Sequence, residues 1–138
     1  MIKIFVETNV FLDLFLDQGE FADSADIILS WCEKGFITGF TSSNNIANIF
    51  YILRRQKSKD EAKRLIRELL GFIGIYGTSK SDLLLAIESN FSDIEDAIQY
   101  YTALNAVEVN FIITRNTKDF KNSVIPFLSP EDFIKKFS

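Results

Sequence analysis

The fold is decided by residues 2–13, IKIFVETNVFLD. Residues 2–6 form a short run that is apolar except for Lys3, which is typical of a buried parallel strand. Glu7, Thr8 and Asn9 follow at once and have the polar character of a helix start, and the residues after them are apolar at helical spacing. The stretch therefore predicts a strand that leads through a short polar turn into a helix.

The same alternation of strand and helix continues along the chain. Four further apolar runs predict strands, at 36–40, 72–76, 110–114 and 123–128. The last of them belongs at a sheet edge, because Pro126 removes a hydrogen-bond donor. Helical patterns lie between the strands, and strands that alternate with helices form a parallel sheet covered on both faces. We therefore expect a single domain over residues 1–138, a three-layer α/β/α fold with a central parallel sheet of four to five strands.

Composition limits the chemistry available to this chain. It contains no His and one cysteine, Cys32, so zinc sites, Ser-His-Asp triads and Cys-His dyads are excluded. General acid or base catalysis would have to use carboxylates, Lys, Tyr or metal-bound water. The net charge of −4 argues against binding nucleic acid through a broad basic surface. It still allows a nuclease, because divalent cations can bridge clustered carboxylates to phosphate, and it suits a partner with basic segments.

No targeting segment is evident in the sequence. Glu7, Asp13 and Asp17 interrupt the apolar N-terminal region, which is unlike a secretory signal. No apolar stretch approaches the roughly 18 residues that a membrane span needs. We therefore expect a cytoplasmic protein that does not bind a membrane.

Polar side chains with oxygen ligands recur where the predicted strands end. Ligands in parallel α/β sheets bind outside the carboxyl ends of the strands, so these positions are the candidate site. Carboxylate and amide oxygens are the ligands that Mg²⁺ and Mn²⁺ prefer. The residues are Glu7, Thr8, Asn9, Asp13, Asn44, Asn45, Asn48, Asp93, Glu95, Asp96, Asn116 and Asp119.

Each of these residues also has a purely structural interpretation. Glu7 suits a solvated turn, and Asp93 with Asp96 suits a helix N-cap followed by an acid in the first turn. Asn116 and Asp119 are common turn residues. No single position distinguishes the two interpretations, whereas the joint pattern favours a site.

That joint pattern resembles the PIN-domain family over nearly the whole chain. The segment VETNVFLD at 6–13 is similar to the opening of PIN domains, where a strand ends in Asp-Thr-Asn. The segment SDIEDAIQYYTA at 92–103 resembles the later acidic helix of the family. The segments FIITRNTKDF at 111–120 and IPFLSPEDF at 125–133 resemble its final signature and the tail of one bacterial branch.

The resemblance implies a metal-dependent ribonuclease with an acidic site that holds Mg²⁺ or Mn²⁺. Carried over by position, Glu7 is the first acid, Asp96 the third, and Asn116 the fourth-position residue. Asp93 and Asp119 would supplement the metal ligands. The supporting residues are Thr8, Asn9, Asn48 and Thr114.

Two positions depart from the family pattern. Glu7 replaces the usual Asp, and its extra methylene would move the carboxylate by about 1 Å, a displacement that can cost about 100-fold in rate. Asn48 occupies the place of a usual Glu, and an amide oxygen can ligate a metal but contributes no charge. A catalytically weak or inactive PIN fold that binds RNA or protein is therefore the alternative hypothesis. A phosphoacceptor domain like a response regulator is a third, disfavoured because no phosphoacceptor Asp follows a middle strand.

The resemblance also implies biological partners. Bacterial PIN proteins of this size are often toxins that act on RNA, are silenced by an antitoxin protein and form homodimers. Arg54 and Arg55, together with Arg115, are the candidate contacts to RNA phosphates, although a solvated helix end and loop is the more common explanation for a cluster such as the first two.

Overall fold

The computed structural model describes residues 1–106 and 108–138, which contain five strands and seven α-helices. In chain order, they are β1 (Lys3–Val6), α1 (Thr8–Phe15), α2 (Glu20–Glu33), β2 (Thr38–Ser42), α3 (Ser43–Gln56), α4 (Lys59–Leu70), β3 (Ile73–Tyr76), α5 (Lys80–Glu88), α6 (Ile94–Asn105), β4 (Phe111–Ile113), β5 (Phe127–Leu128) and α7 (Pro130–Phe137). A short 3-10 helix, Thr117–Phe120, lies between β4 and β5. None of the helices in these ranges is long and apolar enough to cross a membrane.

The five strands form one parallel sheet in the order β3-β2-β1-β4-β5. Side chains of β1 alternate between two cores, as the pleat of a strand requires. Ile4 and Val6 pack in a core with buried residues of α1 to α4 and α7, whereas Phe5 packs with residues of α6 on the opposite face. The predicted three-layer α/β/α fold with a parallel sheet is therefore confirmed, and β5 lies at an edge as expected.

The second strand lies further along the chain than predicted. The sequence predicted 36–40, whereas β2 spans Thr38–Ser42. The reason is the end of α2, where Gly35 takes a φ of 80° and the amides of Phe36 and Ile37 donate back to the carbonyl of Trp31. Phe36 therefore stays 66% exposed. Because the strand ends at Ser42, the Ser42 hydroxyl accepts from the Asn45 amide at 3.0 Å and caps α3.

The fifth strand is shorter than predicted. The sequence predicted 123–128, and only Phe127–Leu128 pairs with β4. The Ser123 hydroxyl donates to the Ile125 carbonyl at 2.6 Å and accepts from the Ile125 amide at 3.1 Å. This local turn uses the backbone groups that a longer strand would need.

Candidate active site

A cavity of about 410 Å³ opens where the carboxyl ends of the central strands meet. The chain leaves β1 toward β2 on one side and later returns to pair β4 on the other, so helices diverge from the sheet at this edge and leave a crevice. The cavity is lined mostly by polar side chains, with Leu12 and Ile52 as the aliphatic exceptions, from four regions of the chain. They are Glu7, Thr8, Asn9, Leu12, Asn44, Asn45, Asn48, Tyr51, Ile52, Asp93, Glu95, Asp96, Gln99 and Asn116.

Glu7 forms the floor of the cavity at the end of β1. Its backbone amide donates to the Ile113 carbonyl at 3.0 Å, so the sheet fixes its position. Only 3% of the residue is exposed, and the Thr114 hydroxyl donates to Oε2 at 3.3 Å. Burial raises the pKa of Glu7 to about 7, although hydrogen bonds from Gln99 and Thr114 oppose the shift. Glu7 is therefore a buried acid that titrates near neutral pH.

Asp96 faces the same cavity from the first turn of α6 and is 5% exposed. Burial, a hydrogen bond shared with the Asp119 carboxyl group and the nearby charge of Glu7 raise the pKa of Asp96 to about 8. When Asp96 is ionised, its buried Oδ2 atom has no hydrogen-bond donor. A buried, unpartnered carboxylate oxygen is unfavourable unless a cation or a proton compensates it.

Several of the other predicted acids and amides line the cavity with this pair, whereas Asp119 is hydrogen-bonded to Asp96 without lining the cavity and Asp13 pairs with Arg115 outside it. Asp93 caps α6, since its Oδ1 accepts from the amides of Glu95 at 2.8 Å and Asp96 at 3.4 Å, and it also lines the cavity. Asp93 therefore acts as the helix cap that the structural interpretation predicted, and it also lies in the cavity that the site interpretation requires. Asn116 lines the cavity, and its backbone amide donates a hydrogen bond to the Thr114 hydroxyl at 3.0 Å.

Three of the four predicted supporting residues line the cavity, and the fourth, Thr114, donates to Glu7. Thr8 and Asn9, in the first turn of α1, line the cavity, as does Asn48 on α3. Asn48 is half-buried and lines the cavity at the position that the resemblance assigns to a glutamate.

Two buried side-chain amides connect α3 to α6: Asn45, which was among the predicted site residues, and Gln99, which was not. The Asn45 side chain donates to Gln99 Oε1 at 2.8 Å and to the Thr41 hydroxyl at 3.0 Å, and Thr41 donates to the Val6 carbonyl at 2.9 Å. The oxygen of Gln99 is thereby committed as an acceptor, so its amide nitrogen is the group that donates to Glu7. The only sequence signal was the Gln at the third position after Asp96, on the same face of the helix.

We expect Gln99→Leu to lower Mn²⁺ affinity and RNA cleavage by about 10- to 100-fold, the range typical of residues that orient a metal ligand. The substitution removes a donor from Glu7 and the acceptor of Asn45. Mn²⁺ binding measured by electron paramagnetic resonance gives the affinity independently of cleavage. Gln18→Leu, at an exposed position, is the matched control. A Gln99→Leu protein that is less stable but binds Mn²⁺ normally would show that the network is structural only.

Arg115 is directed away from the cavity. Its guanidinium donates to Asp13 Oδ1 at 2.9 Å and lies over the Phe21 ring, with its carbon 4.2 Å from the ring centroid. Asp13 is buried, and burial raises its pKa while Arg115 opposes the shift. Of the three predicted RNA contacts, Arg115 is thus paired with Asp13 away from the cavity, whereas Arg54 and Arg55 are exposed on the last turn of α3, where Arg55 donates to the Tyr51 hydroxyl.

We expect Arg115→Ala to lower the free energy of unfolding by about 1–3 kcal/mol, because it leaves the Asp13 carboxylate buried without its donor. In an Asp13→Asn background the same substitution should cost clearly less, because no buried charge remains. Urea denaturation of the four proteins measures the coupling. Equal costs in both backgrounds would show that the pair contributes nothing to stability.

The cavity fits a hydrated divalent cation better than an ion enclosed by protein. Among residues 1–106 and 108–138, no group of three or more His, Cys, Asp or Glu side chains is arranged to hold a metal ion. Mg²⁺, however, commonly takes one or two carboxylates, keeps several waters and binds substrate phosphate. Glu7 and Asp96 supply two carboxylates, and the Oδ2 atom of Asp96 lacks a partner. The amides of Asn9, Asn48 and Asn116 are the neutral groups nearby.

The fold and this cavity define a class of α/β protein whose site is built from acids and amides at the carboxyl edge of the sheet. The sequence profile of the PIN domain matches residues 3–118, which is most of the chain. The chain therefore belongs to the PIN-domain family, as the resemblance of its motifs predicted.

Individual proteins resemble it along their full length. Ribonuclease VapC1 of Aquifex aeolicus (strain VF5) is 29% identical over 144 residues, which cover 99% of this chain and 96% of that protein. VapBC2 from Rickettsia felis, solved bound to a DNA fragment from its promoter, contains a chain that is 18% identical with a TM-score of 0.68, covering 93% of this chain and 98% of that one. A toxin-antitoxin complex from Klebsiella pneumoniae contains a chain that is 22% identical with a TM-score of 0.66, covering 92% and 97%. The two structures share the fold of this chain.

Proposed function

We propose that this protein is a metal-dependent ribonuclease that hydrolyses RNA phosphodiesters with Mg²⁺ or Mn²⁺. The observation that carries the proposal is the buried pair of Glu7 and Asp96 in one cavity, with Asp96 Oδ2 lacking a donor. Two buried acids whose ionised forms are unfavourable gain stability from a bound cation. The full-length similarity to a PIN-family ribonuclease supports the same conclusion.

Each part of the site has a role in this chemistry. A bound divalent cation would lower the pKa of a water ligand and neutralise charge that develops on the phosphate. Glu7 and Asp96 would hold that cation. Thr114 and Gln99 donate to the Glu7 carboxylate and would hold it in position, and Asn116, which lines the cavity, would donate to phosphate oxygens. Asp93 and Asp119 would add negative charge that strengthens cation binding.

The biological role that we propose is the toxin of a toxin–antitoxin pair, acting on RNA in the cytoplasm as a homodimer and silenced by an antitoxin protein. The solved complexes that share its fold include toxin–antitoxin assemblies. The net charge of −4 would favour association with a partner that carries basic segments.

The second candidate function is an inactive binding module, and it is favoured by Glu7 and Asn48. Glu7 stands where the family usually has Asp, and Asn48 lines the cavity without charge. Such a module would bind RNA or protein with no requirement for metal.

Cleavage of labelled RNA distinguishes the two functions. The purified protein is incubated with total bacterial RNA in Mg²⁺, Mn²⁺, Ca²⁺ or EDTA, and the products are separated by electrophoresis. We expect discrete cleavage in Mg²⁺ or Mn²⁺ and none in EDTA. Binding of RNA without cleavage in either metal, at enzyme concentrations equal to the substrate, would favour the inactive module.

A further inference from the structure

One face of α3 leads from the cavity to solvent. Asn44, Asn48, Tyr51 and Arg55 are separated by four, three and four residues, a spacing that places side chains on one face of a helix. The first three line the cavity that contains Glu7 and Asp96, and Arg55 follows one turn further out. At 1.5 Å per residue, the distance from Asn48 to Arg55 along the helix is about 10 Å. This corresponds to about three nucleotides at the 3.4 Å spacing of stacked bases.

Tyr51 is placed on this face in a way that core packing does not explain. The residue is 57% exposed although it lines the cavity. The Arg55 guanidinium carbon lies 5.6 Å from the Tyr51 ring centroid, and its Nη1 atom donates to the Tyr51 hydroxyl at 3.2 Å. The ring is therefore held at the mouth of the cavity by a cation, with more than half of its surface open to solvent.

We propose that Tyr51 and Arg55 form an RNA-binding subsite in which Tyr51 stacks a nucleobase next to the scissile phosphate and Arg55 contacts a backbone phosphate. This inference rests on the proposed function, because it takes the Glu7 and Asp96 cavity as the place of cleavage. Exposed aromatic rings stack bases of single strands in a sequence-tolerant way, and arginine adds a cation–π contribution. Base stacking requires an unpaired base, so the subsite selects single-stranded RNA.

The charge distribution favours RNA over an acidic protein segment at this place. The chain is acidic overall, yet the end of α3 and the following loop carry Arg54, Arg55, Lys57 and Lys59 close together in sequence. The cavity itself is lined by carboxylates, which repel an acidic peptide and accept a phosphate only with a cation. A chain that places phosphates at Arg55 and at the cavity, with a base between them, matches both charges and the ring.

The test measures RNA binding separately from cleavage. Asp96→Asn is used as the parent protein to prevent turnover, with a short single-stranded oligoribonucleotide that carries 2-aminopurine as the probe. We expect Tyr51→Ala to raise Kd by about 5- to 150-fold, as loss of one stacked base predicts, and to abolish quenching of the fluorophore. Tyr51→Phe should keep both, because it retains the ring. Phe36→Ala removes an equally exposed ring outside the cavity and is the matched control.

Two further measurements assign the parts of the subsite. Replacing the 2-aminopurine with an abasic site should weaken binding to the parent and not to Tyr51→Ala. Arg55→Gln should lower the slope of log Kd against log salt by about 0.7, the value for one phosphate contact to a single strand.

The proposal is overturned if Tyr51→Ala binds the oligoribonucleotide as tightly as the parent, or if the parent binds none. Unchanged RNA affinity with weaker binding to the antitoxin would instead assign the surface to a protein partner and also overturns it. If the native protein binds RNA through Tyr51 but cleaves nothing, the ribonuclease proposal fails and the subsite stands.

Discussion

Replacing Asp96 with Asn is expected to lower the rate of RNA cleavage by more than about 100-fold, because residues that merely orient a metal ligand already cost 10- to 100-fold. The substitution keeps the shape of the side chain, and the backbone amide of residue 96 can still donate to Asp93. It removes the carboxylate whose Oδ2 atom is buried without a donor. Cleavage of a labelled RNA in Mn²⁺ under single-turnover conditions measures the effect.

The same substitution should not weaken the fold. Because ionised Asp96 is unfavourable in its buried place, the Asn variant should be at least as stable as the native protein at pH 8 without metal. Asp26→Asn, at an exposed position on α2, is the control and should cleave at the native rate. Native cleavage rates in a well-folded Asp96→Asn protein would remove this residue from the mechanism.

The stability of the metal-free protein is expected to fall as the pH rises from about 4.5 to about 7. The pKa of Glu7 is about 7 in the folded protein and 4.5 in its ordinary environment, so between these values the folded state binds more protons than the unfolded state. Under that condition the free energy of unfolding decreases with pH, by about 3 kcal/mol over the whole interval. Asp96, with its pKa raised to about 8, acts in the same direction.

Glu7→Gln should remove the part of this dependence that comes from Glu7, leave the part that comes from Asp96, and stabilise the metal-free protein at pH 8 by up to about 3 kcal/mol. Urea denaturation at pH 5, 6, 7 and 8 in EDTA measures the difference, and Mn²⁺ should stabilise the native protein more than the variant. Glu33→Gln, an exposed acid at the end of α2, should change stability by less than about 1 kcal/mol at every pH. A native protein whose stability rises between pH 5 and pH 8 would contradict the burial of an ionisable Glu7.

The sequence was sufficient to predict the succession of strands and helices along the chain and to place Glu7 and Asp96 at one edge of the sheet. Glu7 follows a strand directly and Asp96 begins a helix, and in a parallel α/β sheet both positions lie at the same edge whatever the details of packing. The predicted boundary of β2 was wrong because, after Gly35, the backbone amides of Phe36 and Ile37 donate to the Trp31 carbonyl and delay the start of the strand. The pattern of apolar residues does not indicate these hydrogen bonds.

Contacts between distant helices were the part that the sequence concealed. Asn45 and Gln99 are 54 residues apart, and each alone is an ordinary polar residue on a helix. Their pairing becomes visible only when α3 and α6 meet over the end of β1. The pairing of Arg115 with Asp13 was equally hard to predict, because the two residues are 102 positions apart. A basic residue in a motif at the end of a strand had suggested a contact with phosphate instead.

The central place of β1 has a consequence for the timing of synthesis. The Glu7 carboxylate accepts from Thr114, which is 107 residues later in the chain, and β1 pairs with β4 only after that segment exists. At about 5–20 residues per second, a ribosome needs about 5–20 s to pass from one to the other. Every nascent chain that ends before Thr114 lacks one wall of the cavity, so the candidate site cannot be complete until the ribosome has passed that residue.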